Sequence, residues 1–204
     1  MSVDLIESAL RPLADPGRAA GMAAYMRDQF PFLGVATPAR RRAVRGLLPR
    51  TLDRDLVDAL WSLPEREFQY VACDHLQKVP LESTAADFLR SLVMRKSWWD
   101  TVDALAKPVG RACTPEQMRA WARDDNLWVR RAAVLHQLGR REATDAELLG
   151  EILAGNLDSG EFFLDKAVGW ALREYSKTDP AWVRTFRDEH EMAALTRREG
   201  SKYL

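Results

Sequence analysis

An all-α fold, an α-solenoid of antiparallel helix pairs with one concave groove, is what this 204-residue sequence predicts. Three observations carry the prediction. Apolar residues recur at helical spacing through nearly the whole chain. A cap residue stands before proline at Thr37-Pro38, Thr114-Pro115 and Asp179-Pro180, the pattern of a helix start. No segment alternates apolar and polar residues with β-branched enrichment and hairpin turns, so no sheet is expected.

Taken in order, the periodic segments are 3–13, 17–29, 38–48, 53–62, 65–78, 83–93, 98–111, 114–122, 127–138, 145–156, 161–178 and 180–189, with a short helix after them. Helices 38–48, 114–122 and 180–189 take their starts from the three cap-proline pairs. Helices of this length on short links, without a heptad seam, fit stacked pairs better than a four-helix bundle. The segments around 65–76, 98–109 and 128–138 share an aromatic start and a small-residue interior at spacings of about 30, as degenerate repeats do. No linker or low-complexity stretch interrupts them, and a single domain over 1–204 is expected.

Composition narrows the class. Apolar residues make up 47% and charged residues 29%, as in a soluble globular protein. No run of about 18 apolar residues could cross a membrane, and the N-terminus lacks the basic start and apolar block of a signal peptide. A cytoplasmic monomer is therefore expected. Cys73 and Cys113 sit among apolar helical residues without CxxC spacing, which reads as free thiols. The histidines His75, His136 and His190 are scattered, and neither a metal nor a cofactor is expected. Net charge is zero, but 24 arginines against 6 lysines cluster at Arg40-Arg41-Arg42, Arg130-Arg131, Arg140-Arg141 and Arg197-Arg198. Such segregation suits either a positive face toward phosphate or a set of solvated helix faces.

Three residues break the helical pattern. Leu92, Trp99, Val102, Ala106 and Val109 form one apolar stripe, and Asp103 falls within it, one turn from Trp99. A charge there is costly unless it is paired or the stripe lines a groove, and an aromatic beside a carboxylate suits a cation. Arg131 interrupts the stripe of Leu127, Val134, Leu135 and Leu138, while Arg130 points about 100° away and is more easily solvated. An arginine so placed calls for a carboxylate or a phosphate, or it snorkels. Trp170 lies off the Leu164, Val168, Ala171, Leu172, Tyr175 stripe, either in a helix with core on both sides or projecting into a groove.

Six segments in order make the chain resemble the AlkD-like DNA alkylation repair glycosylases, which are built from HEAT-like helical repeats. They are Phe30 to Val35 with Thr37-Pro38-Ala39-Arg40-Arg41, Glu67-Phe68-Gln69-Tyr70, Lys96 to Asp103, Leu127 to Ala133, Phe162 to Trp170 with Arg173-Glu174-Tyr175, and Arg197-Arg198-Glu199. The resemblance places the family's catalytic aspartate and tryptophans on Asp103, Trp99 and Trp170. Its phosphate-holding arginine falls on Arg131, and an aromatic near the DNA on Tyr25. Lys96, Arg130 and Lys166 are further candidates for DNA contacts.

The resemblance also implies a reaction. Purines alkylated at N3 or N7 in double-stranded DNA carry a positive charge that weakens the N-glycosidic bond. Breaking it moves that charge onto the deoxyribose, as in glycoside hydrolysis. Asp103 would stabilise the sugar cation or act on the attacking water, and the two indoles would contact the cationic nucleotide. The resemblance further implies action without base flipping, and no lysine is placed to demand a Schiff base, hence hydrolysis without lyase activity. The alternative is a non-catalytic HEAT-like module that binds DNA structure.

Overall fold

The computed structural model describes residues 2–204, and among them the chain forms thirteen α-helices, three single turns of 3-10 helix and no strand. The all-helical fold expected from the sequence is the fold found. Two compact units account for its internal packing, one ending at Pro80 and one spanning Leu81–Leu204.

The first unit holds α1 (Val3–Leu10), α2 (Pro16–Tyr25), α3 (Thr37–Ala43), α4 (Arg54–Ser62) and α5 (Arg66–Leu76). Helix α2 uses the cap-proline rule at a place not expected, with Asp15 accepting from the Arg18 N–H and Pro16 in the first turn. It ends earlier than the 17–29 expectation because Arg27 and Asp28 take left-handed backbone angles. Thr37, expected as a cap, is instead the first helical residue of α3; Ala36 precedes it and no side chain caps that end. The core is built from Ile6, Leu10, Leu60, Trp61, Phe68 and Leu76, all fully enclosed.

Within this core lies a complete carboxylate, Glu67. Its oxygens accept from the backbone N–H groups of Leu33 at 2.9 Å, Gly34 at 2.8 Å and Val35 at 3.0 Å. The loop can present three consecutive donors because Gly34 adopts a positive φ and lies against the Asp15 carbonyl, 2.1 Å from where a Cβ would stand.

The second unit holds α6 (Ala86–Val93), α7 (Trp99–Ala112), α8 (Pro115–Trp121), α9 (Leu127–Leu135), α10 (Ala146–Ala154), α11 (Phe162–Tyr175), α12 (Pro180–Glu189) and α13 (Ala194–Gly200). Two of the expected caps form as read: Thr114 makes a capping box with Gln117, and Asp179 accepts from the Trp182 N–H. Helices α7, α9, α11 and α13 pack in succession, while α6, α8 and α12 lie against α7, α9 and α11 respectively. Glycine lets this inner row close up. A Cβ on Gly110 would stand 2.2 Å from the His136 carbonyl oxygen, and one on Gly169 would stand 2.6 Å from Glu199 Cβ. These crossings fix the angular position of α7, α9 and α11, and with it the side chains that share their facing surfaces.

Candidate active site on α7, α9 and α11

Asp103 and Arg131, the two charges that interrupt apolar stripes, are partners. Arg131 Nε donates to Asp103 Oδ1 at 2.7 Å and Nη2 donates to Oδ2 at 2.8 Å, a bidentate fork joining α9 to α7. Nη1 donates to the carbonyl of Phe163, in the first turn of α11. One guanidinium thus ties three consecutive inner helices together. The pair is unequally enclosed, with 5% of the Arg131 side chain exposed against 16% of Asp103.

Burial pushes the Asp103 carboxyl above its ordinary range, and Asp100 adds to that push. The Arg131 fork pulls the other way, and so does Lys166, from α11. Asp103 is therefore a carboxylate whose negative charge is only partly compensated, and an additional cation beside it would be favourable.

An aromatic wall supports this corner. The rings of Trp98 and Phe163 lie 5.0 Å apart, Trp128 and Phe163 5.3 Å, and Trp98 and Trp128 5.6 Å. Trp98 precedes α7, Trp128 opens α9 and Phe163 opens α11, so the cluster pins the three N-terminal ends at one place. The two adjacent tryptophans have divided roles: Trp98 builds the wall, and half-buried Trp99 stands on α7 one turn before Asp103.

On α11, Phe163, Lys166 and Trp170 follow one another at helical spacing along one side. Lys166 is exposed, with Nζ 5.6 Å from the Phe162 ring, and Trp170 is half-buried one turn further on. Lys96 is half-buried and takes a left-handed backbone conformation three residues before Trp99. Arg130 is half-buried, more open than the buried Arg131, as its position off the stripe predicts. Its Nε donates to Asn156 Oδ1 at 3.0 Å, and Asn156 in turn holds the Ala122 and Ile152 carbonyls.

Tyr25 belongs to the first unit and is 72% exposed. It borders an apolar hollow of about 350 Å³ with Met22, Met26, Phe32 and Tyr70. The support residues Trp98, Trp128 and Phe163 were not singled out from the sequence. Their one available signal is that each stands at or beside the first position of a helix on the inner row. Among the described residues, no group of three or more His, Cys, Asp or Glu is placed to hold a metal ion, and no helix is long and apolar enough to cross a membrane. Cys73 is buried and Cys113 half-buried, both as free thiols.

An all-helical protein with a buried carboxylate–guanidinium fork under an aromatic wall is the class that fold and site define. Residues 6–204 match the family of DNA alkylation repair enzymes, and the chain belongs to that family. A solved structure described as a predicted DNA alkylation repair enzyme from Enterococcus faecalis is 35% identical, with a TM-score of 0.84 over 94% of this chain and 96% of that one. No curated protein matches the chain.

Proposed function

We propose that the chain is a monofunctional DNA glycosylase that hydrolyses the N-glycosidic bond of N3- or N7-alkylated purines in duplex DNA. The observation that carries this reading is the Asp103 carboxylate, held by Arg131 yet still partly exposed, with Trp99 one turn away. The HEAT-like repeat and the concave groove for DNA are parts of the same reading.

In the reaction the C1′–N bond breaks with both electrons leaving on the base, which departs neutral because it was cationic. Positive charge develops on the deoxyribose, and water adds its oxygen to C1′ while losing a proton. Asp103, raised by burial, gains a favourable partner as the sugar cation forms, and the same carboxylate can accept the water proton. Removing a stabiliser of this kind costs roughly 3–4 kcal/mol, or 10²–10³ in rate. In this reading Trp99 and Trp170 offer ring faces to the cationic nucleotide, and exposed Tyr25 stands beside the DNA.

Arg131 takes a different role from the phosphate ligand first expected. Three of its nitrogens are already committed within the protein and its side chain is almost wholly enclosed, so it acts by orienting Asp103. Exposed Lys166, which acts electrostatically on Asp103, is the better phosphate contact. The test is release of 7-methylguanine and 3-methyladenine from methylated genomic DNA, followed by HPLC. Release by the wild type that falls at least 100-fold in Asp103→Asn supports the reading. Equal release by the variant removes Asp103 from the chemistry. Binding of DNA without release by the wild type favours the non-catalytic module.

A further inference from the structure

The first unit carries a second concentration of charge that the reaction does not use. Where the C-terminal ends of α3 and α5 come together, a cavity of about 650 Å³ is lined by Arg41, Arg45, Arg50, Lys78, Asp74 and His75. Four of these six are exposed cations. Asp74 is the one carboxylate among the lining residues, and it is already engaged. Arg40 Nη2 donates to it at 3.1 Å, and Arg41 donates through Nη2 at 2.7 Å and Nε at 3.1 Å. Arg45, Arg50 and Lys78 have no carboxylate partner among the described residues. Like charges gathered around a concavity raise the local potential for an anion well above that of a single surface arginine.

His75 supplies the second, independent observation. It lines the same cavity, is 1% exposed, and its Nε2 is a buried polar atom with no hydrogen-bond partner. Buried polar atoms are nearly always satisfied, so an orphan on a side chain that lines a cavity is open to a hydrogen bond from what the cavity binds. An oxygen acceptor would satisfy a protonated Nε2, and the surrounding guanidinium and ammonium groups select an acceptor that carries negative charge.

We propose that this cavity is a phosphate-binding site, in which Arg45, Arg50 and Lys78 supply the charge and His75 Nε2 a directed hydrogen bond. Arg41, aligned by its fork to Asp74, adds its uncommitted Nη1. The volume admits more than one phosphate group. Two sources share that chemistry: successive backbone phosphates of a nucleic-acid strand, and a free small molecule bearing phosphates. The site does not depend on the glycosylase reading, and its test reads binding alone.

The full chain, labelled with ¹⁵N in its histidines, is titrated with pyrophosphate, and the variant Arg45→Glu/Arg50→Glu is compared by calorimetry. Both substitutions are on exposed side chains, and an unchanged melting temperature verifies the fold. The expected result is a pyrophosphate-dependent shift of the His75 imidazole signal and at least a tenfold weaker binding in the variant. An unmodified duplex, followed by fluorescence anisotropy across a salt series, then separates the sources. If the strand supplies the phosphates, duplex affinity falls with the double reversal and the slope of log K against log[salt] shrinks by about 2, near 0.9 for each phosphate contact. If a small molecule supplies them, the duplex affinity and slope stay as in the wild type while pyrophosphate binding is lost. No His75 shift, together with equal pyrophosphate affinity in both proteins, overturns the proposal. A chain that binds pyrophosphate here and releases no base would overturn the glycosylase reading and leave this site standing.

Discussion

Glu67 in the first unit and Asp103 in the second are both carboxylates sunk among apolar residues, and they are satisfied in opposite ways. Glu67 is wholly enclosed and takes three backbone N–H groups from its own unit, which leaves nothing for a ligand to add. Asp103 is held by a single side chain, stays partly exposed and has its carboxyl pushed upward by burial. Backbone donors cannot move away from an anion without unfolding the loop, whereas a side-chain partner leaves room for chemistry. A buried charge marks a reactive site when its compensation is incomplete, and a structural anchor when it is complete.

Removing the partner of Asp103 should give the largest effect. Arg131→Leu leaves a carboxylate in a mostly enclosed position and unties α7, α9 and α11 together. Breaking a buried pair from one side costs about 3–5 kcal/mol, read as a drop in the urea midpoint, and base release should be lost with it. The double variant Asp103→Leu/Arg131→Leu should regain most of that stability and none of the activity. Regained activity would mean that Asp103 is as structural as Glu67.

The reciprocal change sharpens the contrast. Glu67→Gln keeps an acceptor but loses the charge and turns an amide NH₂ toward backbone N–H groups. A loss of about 3 kcal/mol is expected from weakening charge-assisted bonds and leaving a donor unsatisfied. Activity per folded molecule should be unchanged at a temperature where the variant remains folded. Asp103→Asn should also lose stability, because it leaves the enclosed Arg131 charge facing an amide NH₂, but its activity per folded molecule should be gone where that of Glu67→Gln is kept.

How far each carboxylate was legible follows from what satisfies it. Asp103 and Arg131 stood out because each interrupts a helical stripe, and a carboxylate was one of the partners Arg131 called for. That the two meet each other could not be read, since they are 28 residues apart on different helices. The third acceptor of Arg131 is the Phe163 carbonyl, and a backbone carbonyl leaves no mark on composition or spacing. Glu67 entered only through the family resemblance, because its three donors are backbone groups 32 to 34 residues away. The helices themselves were legible wherever periodicity and a cap coincided. They misread at Thr37 and beyond Tyr25, where backbone angles decide the boundary.

Acid titration separates Asp103 from His136, a buried imidazole of the same unit. Burial pushes the His136 imidazole down to about 4, so the folded state holds it neutral. The unfolded chain takes up that proton near pH 6.5. Between the two values the unfolded state binds more protons, and stability falls as pH drops from about 6.5 toward 4, by about 3 kcal/mol in all. Asp103 has the reverse sign, because a carboxyl raised in the folded state makes stability fall as pH rises. Urea midpoints measured from pH 7 to 4 should therefore decline in the wild type and flatten in His136→Gln. A decline that persists in that variant would place the acid sensitivity on other groups.

The smallest effect tests whether the inner row positions Trp170 independently of the Asp103 fork. Gly169 precedes Trp170, and a Cβ there would stand 2.6 Å from Glu199 Cβ and 2.9 Å from the Thr196 carbonyl oxygen. The second of these neighbours is backbone, so Gly169→Ala must push α13 outward or turn α11. Overpacking of this kind costs about 1–3 kcal/mol. The Arg131 fork engages α11 at Phe163, nearly two turns earlier, and should persist. If Trp170 contributes to catalysis from α11, base release should fall severalfold through kcat, beyond any loss explained by unfolding, while the Asp103→Asn loss is still seen in the double variant. Wild-type kcat in Gly169→Ala would show that the tilt of α11 matters to stability alone, and would leave the Asp103 corner as the whole of the chemistry.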